Sequence, residues 1–207
     1  MPNATEAIWA KGEYITCADT ARLIRVQLAH HFPGARFSVR SKTYSGGASI
    51  NVTWQDGPTR QHVQDVVEVY KGGDFDSCID LHYHVETWLR PDGSAAYGFS
   101  AGTVDSRGAD NGYAYAPPAP DARMVHMGAD FVFVDRDYSE AFARRIRDEL
   151  AAHWSRVPGD FPELRSQGGD SWCLDWDHPA TFGYTAGPGQ CDPVRLFREA
   201  CEQVDAP

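Results

Sequence analysis

The stretch from Phe32 to Pro58, FPGARFSVRSKTYSGGASINVTWQDGP, constrains the fold more than any other part of the chain. Two period-two runs flank a glycine-centred turn. Side chains alternate across a strand, so Phe37 and Val39 share one face and Ser38 and Arg40 the other. In the second run Ile50, Val52 and Trp54 lie opposite Asn51, Thr53 and Gln55. Tyr44-Ser45-Gly46-Gly47 supplies turn residues that accept positive φ. The pattern dictates a hairpin with one buried face. Ahead of it, Thr16 and Asp19 form a helix-start signal, followed by Ala21, Ile24, Leu28 and Phe32 at helical spacing and stopped by Pro33-Gly34. Behind it, Asp56-Gly57-Pro58 predicts the opening of a second helix with an apolar stripe of Val63, Val66, Val67 and Tyr70, ended by Gly72-Gly73. The chain therefore starts α-β-β-α.

Downstream, Asp80 to Leu89 (DLHYHVETWL) alternates as a strand. Residues 91–125 are rich in Gly, Ala, Pro and Asp and read as a long surface loop around one short strand near Ala96–Ala101. Phe131 to Val134 is a compact strand. Asp137 and Glu140 then read as a capping pair before Phe142, Ile146, Leu150 and Trp154, which align on one helix face. Val157-Pro158-Gly159 breaks that helix. Residues 159–191 are loop-rich, and Asp192-Pro193 opens a last helix with Leu196, Phe197, Ala200 and Val204 inward. The expected fold class is α+β: an antiparallel sheet of four to five strands with helices mainly on one face. Residues 1–155 form the domain and 156–207 a loop-rich extension ending in a helix.

At 207 residues, 42% hydrophobic and 23% charged, the chain can bury an ample core. No run is long enough for a membrane span, and MPNATEAIWAKGEY lacks the pattern of a secretory leader. Five scattered cysteines (Cys17, Cys78, Cys173, Cys191, Cys201) without a C-x-x-C pair read as reduced thiols, so the expected location is cytoplasmic. The net charge of −10 is uneven: residues 1–71 carry 8 basic against 6 acidic side chains, residues 72–135 carry 3 against 10, and residues 136–207 carry 8 against 13. An acidic chain repels phosphate backbones, which argues against direct nucleic-acid binding by the whole molecule.

Phe32-Pro33-Gly34, Phe37-Ser38-Val39, Ser45-Gly46-Gly47-Ala48-Ser49-Ile50, Trp54, Asp56-Gly57-Pro58, Phe75-Asp76 with Asp80, and Phe131-Val132-Phe133 followed by Arg136-Asp137-Tyr138-Ser139 together resemble the large polyvalent protein-associated domain 29 family. The match spans roughly residues 17–155. The resemblance implies a protein of phages and conjugative elements, acting inside a bacterial host cell, in a setting where such domains often accompany modules that blunt host defences. It brings no catalytic residues with it.

Three constellations can carry function. Asp80, His82, His84 and Glu86 share one face of the third strand, and imidazole with carboxylate can hold a divalent transition metal, with His126 or His178 completing the shell. The same alternation also describes an ordinary half-exposed strand. Asp74, Asp76, Asp80 and Asp92 cluster around that strand, and Asp175, Trp176 and Asp177 later, with Asp170 and Trp172 nearby. Such acids can mimic nucleic-acid phosphates and occupy a cationic groove of a partner, with aromatics as anchors. Arg36, Arg40 and Lys42 on the hairpin, with Arg22, Arg25 and Tyr44, can touch phosphates and stack on a base, or simply guard a strand edge. No P-loop, dinucleotide, zincin or nucleophile-elbow motif occurs. The expected function is a non-enzymatic mobile-element protein that needs no cofactor. Its expected partner is a host defence protein or complex of CRISPR or restriction type, bound through an acidic surface. The alternatives are a metal-dependent enzyme acting on nucleic acid or a nucleotide, and a nucleic-acid-binding accessory module.

Overall fold

A computed structural model describes residues 13–77, 80–100, 113–114, 116–153, 161–175, 177 and 193–205. The chain is α+β. Among the described residues, eleven strands and four α-helices follow in the order β1 (Glu13–Ile15), α1 (Cys17–His31), β2 (Phe37–Tyr44), β3 (Gly47–Gln55), α2 (Arg60–Val67), β4 (Gly73–Asp76), β5 (Leu81–Leu89), β6 (Ala95–Ser100), β7 (Tyr113–Ala114), β8 (Arg123–Met127), β9 (Phe131–Asp137), α3 (Glu140–His153), β10 (Leu164–Gly168), β11 (Ser171–Leu174) and α4 (Pro193–Gln203). Contacts divide it into two compact units. The first comprises residues 1–33, 37–52 and 63–134, and the second residues 34–36, 53–62 and 135–207. Residues 156–207, read from sequence as an extension, thus share a unit with α3. A three-stranded sheet runs β2-β3-β9, and the chain crosses between units within β3 and within β9.

In the first unit a six-stranded sheet runs β1-β8-β5-β6-β7, with β4 also paired to β5. β1 pairs with β8 in parallel, and the other pairings within this sheet are antiparallel. The α1 start matches its sequence signal: the Thr16 side chain accepts from the Asp19 amide at 3.2 Å. Ala21, Ile24 and Leu28 are fully buried, as are Ile50 and Val52 of the hairpin; Trp54, on the second unit's part of β3, is nearly so. Each such large aliphatic contributes about 1.5–3 kcal/mol on burial. Polar groups inside are matched. Tyr70 donates to the Gly93 carbonyl (2.7 Å), Thr87 to the Val69 carbonyl (3.0 Å) and Gln27 to the Asp92 carbonyl (3.2 Å).

The second unit has its own core of Phe142, Ala143, Ile146, Phe161, Leu174, Phe197 and Cys201. A single side chain ties its segments together. Arg136 is 8% exposed and donates to the carbonyls of Asp56 (3.0 Å), Gly57 (2.9 Å), Cys201 (2.7 Å) and Val204 (3.0 Å). Its guanidinium also lies 5.4 Å from the Tyr138 ring centroid and 5.2 Å from that of Phe142.

Several local expectations change. Asp56 and Gly57 take φ of 53° and 61°, unlike the extended backbone of a helix cap, so α2 opens only at Arg60. Thr59 is its cap, accepting from the His62 amide at 3.3 Å. Asp137 remains in β9, and Ser139 caps α3 through the Phe142 amide at 3.2 Å. Asp137 and Glu140 therefore do not form the expected capping pair. Val204 lies past the end of α4 and is 36% exposed rather than inward. The loop-rich reading of 159–191 hid the β10–β11 hairpin, and that of 91–125 hid β8. Both escape because strands of four or five residues leave too little alternation to read.

Candidate binding surface

β5 places its side chains as alternation demands. Val85, Thr87 and Leu89 are buried, whereas His82 and His84 are exposed and Glu86 is half-buried on the opposite face. Asp80 stands outside this set. β5 begins at Leu81, and Asp80 occupies the preceding turn at φ 55°.

Pairing brings further rings to the His82–Glu86 face. In β4, Phe75 pairs with His82 and Gly73 with His84. β8 contributes His126, and β1 contributes Tyr14, whose register partner is His126. A continuous series of ring contacts results. Tyr14 stacks on His126 at 5.9 Å between centroids, and His126 meets His84 edge-on at 5.3 Å. His84 meets His82 at 6.1 Å, His82 meets Phe131 at 5.7 Å, and Phe131 stacks on Phe133 at 5.9 Å. Several of these rings face solvent: Tyr14 is 59%, Phe133 50% and Phe75 47% exposed. Two glycines make room beneath. A Cβ on Gly73 would stand 2.2 Å from His82 Nε2, and one on Gly72 would stand 1.8 Å from the Met127 carbonyl oxygen.

Glu86 sits within this series. Its Oε1 lies 3.4 Å from His126 Nδ1, while its Oε2 is buried and has no hydrogen-bond partner. An unsatisfied buried oxygen costs about 1–3 kcal/mol. Among the described residues, no three His, Cys, Asp or Glu side chains are grouped so as to hold a metal ion. His178 lies outside the described residues. The imidazoles of His82, His84 and His126 are brought together within this ring series.

Among the described acids of the predicted partner-binding set, Asp74 and Asp92 are engaged elsewhere in the first unit. Asp74 points to the other side of the sheet, where it accepts from the Tyr83 hydroxyl (3.0 Å) and pairs with Lys71 (3.2 Å). Burial works to raise the Asp74 pKa, but Lys71, the Phe75 amide and the Tyr83 hydroxyl outweigh it and hold the carboxyl below its ordinary value. Asp92 holds the β5–β6 turn, accepting from the Ser94 amide (2.9 Å) and hydroxyl (2.6 Å). Those hydrogen bonds lower its pKa. In the second unit Asp175 and Asp177 both pair with Arg165, at 3.6 and 2.5 Å. The Asp76 side chain and Trp176 lie outside the described residues. Of the basic set, Arg22 pairs with Asp19 and Arg25 donates to the Val39 carbonyl, while Arg36, Arg40, Lys42 and Tyr44 are exposed.

Sequence reasoning found the histidines and Glu86 and missed Tyr14, Phe131 and Phe133 as members of the surface. A signal existed for β9. Its run Phe131-Val132-Phe133-Val134 buries both valines, which turns both phenylalanines to the opposite face. Nothing marked Tyr14, which reaches His126 only through long-range strand pairing.

The fold and this surface define an α+β domain that presents a series of rings, with the Glu86 carboxylate set beneath them. The family model of large polyvalent protein associated domain 29 matches residues 15–139, and the chain belongs to that family. This places it among phage- and mobile-element-associated proteins. Neither the curated proteins nor the solved structures contain a match. Among the described residues no helix is long and apolar enough to cross a membrane.

Proposed function

We propose that this chain is a binding protein of a mobile element that engages a host defence component of CRISPR or restriction type. The surface it uses is the ring series of β1, β5, β8 and β9, and the feature it recognises is a cationic side chain of the partner. The observation that carries this reading is the unpartnered, buried Glu86 Oε2 beside the His126 ring, on which the exposed Tyr14 stacks. Aromatic faces attract guanidinium and ammonium groups, and a carboxylate lacking a donor completes such a cage. The acidic balance of residues 72–135 favours approach of a basic partner, as found in the nucleic-acid groove of a nuclease. Asp80, exposed at the end of β5, adds to that field.

The test is co-purification with host defence complexes alongside a defence assay. The wild-type chain is expected to retain a defence component and to lower defence activity. The Tyr14→Ser/Phe133→Ser variant is expected to lose both effects while keeping its melting temperature. Full defence activity in the presence of wild-type protein, with no defence component retained, refutes the reading.

A further inference from the structure

The second unit contains a cavity of about 290 Å³ that the reading above does not use. The geometry points to a binding site there for a small phosphate-bearing ligand of nucleoside monophosphate size. The volume lies just below the usual range of small-molecule sites, roughly 300–1,000 Å³. Three guanidinium groups line it, from three separate segments: Arg60 at the start of α2, Arg136 in β9 and Arg198 in α4. Among the described residues none of the three forms an ion pair. Arg136 is buried, and carbonyls take four of its five N–H donors without neutralising its charge. A buried charge without a counter-ion is costly, and an anion in the cavity offsets that cost.

The carboxylates in the wall are already engaged. Glu202 accepts from the Tyr138 hydroxyl at 2.8 Å and from the Arg60 amide at 3.3 Å. Asp137 accepts from the Ser171 hydroxyl at 3.1 Å. Their spare lone pairs suit the hydroxyls of a sugar, while the three cations suit a dianion, for which the guanidinium fork is the best-matched donor. Trp172 supplies a half-buried ring in the same wall, on which a base can stack.

Isothermal titration of the full chain with AMP, GMP, adenosine and inorganic phosphate tests the site. Saturable binding of a monophosphate is expected, with adenosine weaker by about tenfold or more. In Arg60→Gln/Arg198→Gln, both exposed in the free protein, affinity is expected to fall by about tenfold or more with the ligand-free melting temperature unchanged. Trp172→Leu is expected to weaken the monophosphate and leave inorganic phosphate unaffected. No saturable binding at millimolar monophosphate overturns the proposal, as does undiminished affinity in the double arginine variant. Inorganic phosphate binding as tightly as AMP and GMP also overturns it, because the ring would then play no part.

Discussion

The ring surface of the first unit and the cavity of the second unit solve the problem of unpaired charge in opposite ways. On the β5 face one buried carboxylate oxygen, Glu86 Oε2, lacks a donor, beside the His126 ring on which the exposed Tyr14 stacks. In the wall of the second unit's cavity three guanidinium groups stand against two carboxylates. Arg136 hydrogen-bonds only to carbonyls, inside a wall shared with Arg60 and Arg198. The first arrangement suits a partner that brings a cation to an open surface. The second suits a small anion taken into a recess. Local stability depends on different things in each: a close backbone approach at Gly72, and one multiply bonded side chain at Arg136.

The largest expected effect comes from removing Arg136. Arg136→Met leaves four carbonyls without their donor, and urea denaturation is expected to show a loss of about 3 kcal/mol or more. Arg136→Lys should rescue little, since an ammonium cannot reproduce the planar fork. A near-neutral Arg136→Met would erase the distinction between the regions. Gly72→Ala is its counterpart in the first unit. The added methyl would meet the Met127 carbonyl oxygen, a backbone atom that cannot move aside, and a loss of about 3 kcal/mol is expected by the same measurement. Gly73→Ala meets only the tip of the His82 ring and should cost less.

Acid should act on the first unit through Asp74. Its carboxyl is held below the ordinary value in the folded chain, so its stabilising contribution is complete above the unfolded pKa and disappears as pH falls through the folded one. Stability measured from neutral pH down to strong acid should fall less steeply in Asp74→Asn than in wild type; identical slopes would remove Asp74 from the account. Cys201 offers a smaller contrast in the second unit. Burial pushes its thiol up to about 12, so it should not react with a thiol reagent at pH 8 until the chain unfolds. Cys173 is also raised by burial but is not fully enclosed, and should react first of the two. The smallest effect on stability belongs to Tyr14→Ser and Phe133→Ser. Both rings face solvent, so each change should stay within about 0.5 kcal/mol in denaturation while partner binding is lost.

Much of the local structure is legible in the chain. The Thr16 cap, the buried Ile50, Val52 and Trp54, and the polar and apolar faces of β5 follow from short-range periodicity, which needs no knowledge of the fold. The same reasoning fails where the signal is conformational. Asp56-Gly57-Pro58 looks like a helix start, yet left-handed backbone at Asp56 and Gly57 delays the helix to Thr59. It fails again where strands are very short, as in β1 and β10.

By itself, then, the sequence determined the α+β class, the hairpin with its one-sided core and the presence of His82, His84 and Glu86 on one strand face. Each of these depends on residues within a few positions of one another. Only the tertiary structure decided what those side chains meet. Tyr14, His126 and Phe131 reach the β5 face through strand pairing and sheet contacts spanning many tens of residues, and Arg136 gathers carbonyls from both ends of the second unit's sequence. No local period encodes such meetings, because they depend on which strands pair and on where the backbone can approach closely enough, as at Gly72.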